Sequence, residues 1–178
     1  MVEKIPEQPE ENLPDWEELK EEDLDPGIRE DLLELARIDE KEIWSDKELS
    51  RRLQGEPTFA PSLWLGLRLL LESHGLTQQK DVLERFDELS DSFTGQKKAS
   101  IEEQIRDIRE LRKYLSSLGL NEKDLSAKET LRRAYLGVGQ AQSEEALKVL
   151  KQLAEENPSF RKALEMFDKE AKSREGRG

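Results

Sequence analysis

The most apolar stretch of the chain, residues 62–71 with the sequence SLWLGLRLLL, constrains the fold more than any other feature. Its apolar side chains do not alternate as in a half-buried strand, and they point to all sides of a helix rather than along one stripe. A helix of this kind belongs in the centre of a globular protein. Pro61 suits the first helical position and Gly75 suits a left-handed cap, so the sequence predicts a central helix over residues 61–74.

The composition predicts that other helices surround this central one. Leu occurs 28 times, whereas Val and Thr, two residues typical of strands, occur 4 times each. Charged residues make up 39% of the chain, which leaves too little apolar material for a second core. We therefore expect an all-α protein with a single multi-helix bundle over residues 15–172.

The surrounding helices are indicated by apolar residues three and four apart and by capping residues beside them. Ser100 and Glu103 form the S-x-x-E pattern of a capping box, and Ser126 and Glu129 repeat it. Thr77 is the predicted N-cap of the helix after the central one. The predicted helices span about 26–39, 46–53, 78–93, 101–118, 127–138 and 144–157, with a last helix around residues 160–167.

Both ends of the chain are predicted to lie outside the bundle. Residues 1–14 contain three prolines and many glutamates but almost no apolar anchor, so burial there cannot offset the entropy lost on ordering. We expect a disordered acidic tail over residues 1–14 and a frayed C-terminus over the polar residues 173–178.

The net charge of −12 is concentrated in the first part of the chain. Residues 1–50 hold 19 Asp and Glu against 6 Lys and Arg, a net of −13, while the rest holds 22 acids and 23 bases, a net of +1. An acidic arm repels nucleic acid and anionic membranes, and it attracts basic protein surfaces or serves only solubility.

The sequence lacks the residues that several kinds of catalytic and metal-binding site require. The chain has no Cys, and His74 is its single histidine, which excludes cysteine-based sites, multi-histidine metal sites and a histidine-based triad. No G-x-x-x-x-G-K-[ST] phosphate loop occurs. Runs of carboxylates such as Asp87, Glu88 and Asp91 are typical of a solvated helix face. We expect no catalytic, cofactor-binding or metal-binding residues and therefore no enzyme.

The sequence also carries expectations about location. Its N-terminal residues contain no basic region followed by an apolar stretch, and the central helix, at about 14 residues, is shorter than the roughly 20 apolar residues that cross a bilayer. We expect a cytoplasmic protein without a membrane partner.

The segment 101–118 has an ordered distribution of charge. Arg106, Arg109 and Lys113 share one flank of its apolar face, and acidic residues at positions 103, 107 and 110 share the other. Charged flanks beside an apolar seam set register in helix pairing, and they are also common on the solvated surface of a bundle. Both interpretations remain open.

Aromatic anchors give the remaining candidates for an interface. Trp64 is assigned to the core, whereas Trp16 and Trp44 are open, because tryptophan is enriched both in cores and at interface hot spots. Trp16 and Leu19 lie three apart and could form one amphipathic turn that docks on the body of the protein or on a partner. The candidate interface residues are therefore Trp16, Leu19, Trp44, Arg106, Arg109 and Lys113.

An alternative function depends on residues 45–76. Residues 47–53 and 61–74, followed by Gly75 and Leu76, are similar to the helix-turn-helix of winged-helix regulators. The resemblance is degenerate and implies a nucleic-acid-associated regulator. Two features oppose it, since the second segment offers only Arg68 among leucines for base reading, and the connection of about eight residues exceeds the usual three to four. We rank nucleic acid below protein as a partner.

These observations favour a non-catalytic helical protein that binds another protein as an adaptor, chaperone or regulatory subunit. It would act through amphipathic helix surfaces and the acidic N-terminal arm. The arm favours a partner with a basic surface, and a second copy of the chain is also open as a partner.

Overall fold

The computed structural model describes residues 23–137 and 143–177, with side chains described as far as residue 172. Over these residues the chain is helical and contains no strand, which confirms the predicted all-α fold. The helices of the described ranges are α1 (Pro26–Arg37), α2 (Glu40–Ile43), α3 (Asp46–Gly55), α4 (Phe59–Ser73), α5 (Lys80–Thr94), α6 (Ile101–Ser117), α7 (Ala127–Gly137), α8 (Glu144–Ala154) and α9 (Pro158–Arg177), with a 3₁₀ turn at Leu76–Gln78.

The helix α4 is the central helix that the sequence predicts. Every residue from Pro61 to Leu71 is buried. The helix begins at Phe59, two residues before the predicted start at about Pro61. Proline is tolerated at this third position because the first N–H groups of a helix have no intrahelical partner.

The closest packing of α4 is against α7, and we call this contact the α4–α7 seam. Gly66 makes the close approach possible, because a Cβ at that position would lie 2.0 Å from the carbonyl oxygen of Thr130. The hydroxyl oxygens of Ser62 and Tyr135 are 3.2 Å apart in the same seam. This hydrogen bond satisfies two buried polar groups, whose burial without a partner would be costly.

Other helices cover the remaining sides of α4. Trp64 lies between Phe86 on α5 and Phe160 on α9, with ring centroids 6.4 and 6.1 Å away. Tyr135 on α7 contacts Phe167 on α9 with centroids 5.4 Å apart. Aromatic pairs at such spacings add to the free energy gained from apolar burial. The prediction that Trp64 lies in the core is confirmed.

Capping residues fix several helix ends as the sequence predicts. The Ser100 hydroxyl accepts a hydrogen bond from the Glu103 N–H at 3.2 Å, and the Ser100 N–H donates to the Glu103 carboxylate at 3.4 Å. This is the predicted capping box of α6. Gly75 follows α4 with φ of 69°, a left-handed conformation that glycine adopts without strain.

Three local features differ from the prediction. α2 was not predicted, because one helical turn with a single buried residue, Ile43, has no periodicity to recognise. Thr77 is not an N-cap: it lies in the 3₁₀ turn, and Gln79 occupies the N-cap position of α5 without a side-chain capping hydrogen bond. The connection between α3 and α4 is residues 56–58, so the predicted length of about eight residues was also wrong.

Some predictions fall outside the described residues. The acidic tail over residues 1–14, Trp16 and Leu19 all precede residue 23. At the other end α9 extends to Arg177, and fraying after residue 172 stays a prediction. Within the described ranges, no helix is both long enough and apolar enough to cross a membrane.

Candidate interaction groove

The helices α3 and α6 lie side by side and leave a groove of about 660 Å³ between them. Leu49 on α3 and Ile105 and Ile108 on α6 are buried, and their apolar side chains fix the two helices on the body of the protein. The groove is lined by Asp46, Lys47, Ser50, Ile101, Glu102, Ile105, Arg106, Arg109, Glu110 and Lys113.

Arg109 anchors one end of this groove. Its Nε and Nη2 atoms donate hydrogen bonds to the backbone carbonyl of Trp44, at 3.1 and 2.8 Å. Its guanidinium also forms an ion pair with Asp46. Because Trp44 is the C-cap of α2, the cation lies at the helix end where the dipole favours positive charge. Arg109 therefore connects α6 to the α2–α3 turn.

Arg106 and Lys113 extend into solvent along the same flank of α6. Their side chains are 61% and 78% exposed. Each has an acidic neighbour on its own helix: Arg106 Nε is 3.3 Å from Asp107 Oδ1, and Lys113 Nζ is 3.9 Å from Glu110 Oε1. Exposed pairs of this kind contribute little free energy, so both cations are available to a ligand at little cost.

A second pocket of about 370 Å³ adjoins the groove, and Arg109 and Lys113 line both. Its other lining residues are Trp44, Arg112, Ser116, Glu122 and Leu125. The Arg112 guanidinium lies 4.1 Å from the centroid of the Trp44 ring, a cation–π contact. Burial lowers the pKa of Arg112 below its ordinary value, but a guanidinium stays charged at neutral pH. We call the two pockets together the α3–α6 groove.

Glu40 holds Trp44 in place. Its Oε1 atom accepts hydrogen bonds from Trp44 Nε1 at 2.6 Å and from the backbone N–H of Ala127 at 3.0 Å. Ala127 is the first residue of α7, so one carboxylate oxygen serves both the wall of the groove and the N-terminus of α7. Negative charge is favourable at that helix end.

Four of the six predicted interface residues meet on this surface. Arg106, Arg109 and Lys113 line the α3–α6 groove, and Trp44, although buried, contributes to its second pocket. Trp16 and Leu19 lie outside the described residues. The geometry brings these four together, while their role in binding stays a prediction.

The sequence did not identify the α3 wall of the groove or Arg112. Which helix lies beside α6 depends on tertiary packing, and helical periodicity carries no information about it. Arg112 falls between Ile105 and Leu115 on the apolar face of α6, where its charge could have been noticed. A cation at such a position needs an aromatic face or acceptor nearby.

Two of the carboxylates that line the groove are paired with cations. Among its carboxylates, Asp46 is paired with Arg109, and Glu110 faces Lys113. In the described part of the chain, no three or more Asp, Glu or His side chains are grouped so that they could hold a metal ion. The arrangement combines a small apolar floor, cations that differ in their exposure to solvent, and an aromatic ring.

The helix-turn-helix predicted over residues 45–76 lacks the geometry that is needed to read base edges in a groove of DNA. The three-residue connection between α3 and α4 fits the motif better than the sequence suggested. However, α4 would be the recognition helix, and its residues from Pro61 to Leu71 are buried, Arg68 included. A recognition helix has to present side chains to base edges, and the buried residues Pro61–Leu71 of α4 cannot do so.

Comparison with known proteins adds no assignment to these observations. No family model, no curated protein and no solved structure matches the chain.

Proposed function

We propose that this protein is a non-catalytic binding protein of the cytoplasm, an adaptor or regulatory subunit that recognises a segment of another protein in the α3–α6 groove. The observation that supports the proposal is the convergence of Trp44, Arg106, Arg109 and Lys113 on one concave surface. Tryptophan and arginine are the residues most enriched among binding hot spots.

The lining of the groove indicates the chemistry of the segment it would bind. Ile105 is buried at the floor and Ile101 is half-buried beside it, so a small apolar side chain of the partner would find contact there. Around this floor, Arg106, Lys113 and Lys47 offer exposed cations. A short segment that carries Asp or Glu next to an apolar residue would match both features.

Nucleic acid is the competing ligand for the same cations. Acidic residues alternate with them: Glu102 and Glu110 line the groove, and Asp107 pairs with Arg106. A phosphate backbone approaching this flank would meet these carboxylates as well as the cations, and repulsion would reduce the gain from each contact. A peptide can place a single carboxylate between them, which favours protein as the partner.

Site-specific photocrosslinking tests the proposal. A benzophenone amino acid at Lys47, inside the groove, is expected to form an adduct with a partner protein in cells, whereas the same group at Lys148 on α8 is not. The double change Arg106→Glu and Lys113→Glu is expected to abolish the adduct. Lys80→Glu, on a side chain that is 85% exposed on α5, is the matched control and is expected to leave it unchanged.

Two outcomes would contradict the proposal. An adduct that persists after the double charge reversal would show that the groove does not hold the partner. A gel shift with RNA or DNA that disappears in the same double variant, and weakens steeply with salt, would assign the cations to phosphate contacts instead.

A further inference from the structure

Inside the bundle, α4 carries an ion pair that the proposed function does not use. Arg68 and Glu72 are one turn apart, and their side chains are only 5% and 6% exposed. The closest approach, from Arg68 Nε to Glu72 Oε1, is 3.8 Å, too long for a hydrogen bond. Arg68 Nε and both carboxylate oxygens of Glu72 are buried and have no hydrogen-bond partner among the described residues.

The contacts that this pair makes do not fully offset the free-energy cost of burying its two charges. Taking a carboxylate out of water costs several kcal/mol, and an ion pair recovers this only with good geometry and further hydrogen bonds. A carboxylate in this situation lowers its free energy by taking up a proton. Burial raises the pKa of Glu72 from its ordinary 4.5 to about 7, although the charge of Arg68 acts in the opposite direction.

The groups that face this pair come from two other helices. Glu145 on α8 adds repulsion to the Glu72 carboxylate and raises its pKa further. Asp87 on α5 faces Arg68, and burial raises the pKa of Asp87 above its ordinary value. Arg68 is therefore shared between the carboxylates of Glu72 and Asp87, and its charge cannot fully offset the cost of burying either of them.

We propose that Glu72 is a proton-binding group that makes the packing of α8 against α4 depend on pH. With its proton, the Glu72 carboxyl is neutral and is accommodated beside Glu145. When the proton leaves, the buried Glu72 carboxylate lacks water that Arg68 replaces only in part, and the exposed Glu145 adds repulsion across the α4–α8 contact. The α8 helix then opens more readily, while the α4–α7 seam keeps the rest of the bundle folded.

The direction of the pH dependence follows from the two states of Glu72. In the unfolded chain the group ionises near 4.5, whereas in the folded chain it keeps its proton up to about 7. Between these values the folded state holds one more proton than the unfolded state. Its contribution to stability is therefore fully present at low pH and is lost as the pH rises from 4.5 through 7.

Other carboxyl groups have raised pKa values as well, so the total pH dependence of the protein does not isolate Glu72. Burial raises the pKa values of Asp31, Glu56 and Asp91. The informative quantity is the difference between the native chain and a Glu72→Gln variant, in which the side chain keeps its shape and cannot ionise.

The test measures thermal unfolding between pH 5 and pH 8.5 for the full chain and for two variants. Glu72→Gln is expected to flatten the fall of the melting temperature towards high pH and to unfold at a higher temperature than the native chain at pH 8. Glu84→Gln is the matched control, because Glu84 lies 3.9 Å from Lys80 at the same one-turn spacing but is 65% exposed. It is expected to follow the native curve. A Glu72→Gln curve parallel to the native one would overturn the proposal.

Two further measurements keep the proposal testable if Glu72→Gln folds poorly. The carboxyl carbon of Glu72 in the native chain is expected to titrate by NMR with a midpoint near 7, and a midpoint near 4.5 would overturn the proposal. Amide hydrogen exchange in α8 at pH 8 is expected to be several-fold faster in the native chain than in Glu72→Gln. Because both proteins are measured at the same pH, their intrinsic exchange rates are equal and do not affect the ratio. Equal rates in α8 would overturn the link between Glu72 and this helix.

Discussion

The α4–α7 seam and the α3–α6 groove are both contacts between two helices, and they differ in the side chains that set the spacing. In the seam, Gly66 has no side chain, and the backbone of α7 at Thr130 approaches to a distance that no Cβ would allow. In the groove, Arg109 joins α6 to the Trp44 carbonyl and to Asp46 at the start of α3, and an open volume of about 660 Å³ remains between the two helices. The first contact contributes stability through dense packing, and the second leaves surface on which a ligand could bind.

The seam and the groove also differ in how far their hydrogen-bonded polar groups are exposed to solvent. In the seam, the hydroxyls of Ser62 and Tyr135 are hydrogen-bonded to each other away from solvent. In the groove, Arg109 donates to the carbonyl of Trp44 and keeps 40% of its side chain exposed. A seam of the first kind tolerates few changes, whereas a groove of the second kind tolerates many. Substitutions in the seam should therefore cost more free energy of unfolding than substitutions in the groove.

The largest effect is expected from Leu70→Ala in the central helix. Leu70 has no exposed surface, and removing its side chain should cost about 2 to 5 kcal/mol in free energy of unfolding, from lost burial and from the cavity left behind. Urea denaturation measures this cost. Leu33→Ala is the control, since Leu33 is 43% exposed, and it should stay within about 0.5 kcal/mol of the native chain. A near-neutral Leu70→Ala would contradict the placement of the core.

A smaller loss is expected from Gly66→Ala, which adds a single methyl group to the seam. The new Cβ would overlap the Thr130 carbonyl and push α7 away from α4, at a cost of about 1 to 3 kcal/mol. Gly55→Ala is the matched control, because nothing lies within 4 Å of a Cβ there. That change should be neutral or should stabilise by roughly 0.4 to 1 kcal/mol. Similar melting temperatures for the two variants would show that the seam is looser than described.

The smallest effect is expected at the groove, from Arg109→Met. This change removes two hydrogen bonds to the Trp44 carbonyl and the ion pair with Asp46. Because the site is partly exposed, the loss should be about 1 kcal/mol. Lys113→Met, on the same flank but 78% exposed, should cost almost nothing in the same urea experiment. A loss at Arg109 as large as at Leu70 would remove the distinction between seam and groove.

The sequence predicted those features of the seam and the groove that are properties of a single helix. The apolar residues around Leu70 identified α4, Ser100 and Glu103 identified the start of α6, and spacing alone placed Arg106, Arg109 and Lys113 on one flank. These are local properties of a helix, so a single chain reveals them.

What could not be predicted depends on which helices meet. Nothing in the local sequence pairs Gly66 with Thr130 or places Asp46 beside Arg109, since the residues of each pair are far apart in the chain. The short helix α2 was missed for a related reason: Trp44 at its end is held by residues distant in sequence, through the hydrogen bonds from Arg109 and the cation–π contact with Arg112. Periodicity is informative only over several turns.

The pairing of α4 with α7 also has a consequence for the order in which the chain acquires its fold during synthesis. α5 and α6 pack against each other and lie between α4 and α7 in sequence. At about 5 to 20 residues per second, a ribosome needs several seconds to add the roughly 50 residues between Ser73 and Ala127. During that interval the most apolar helix of the nascent chain lacks the partner that covers it most closely, and it is open to chaperones or to other nascent chains.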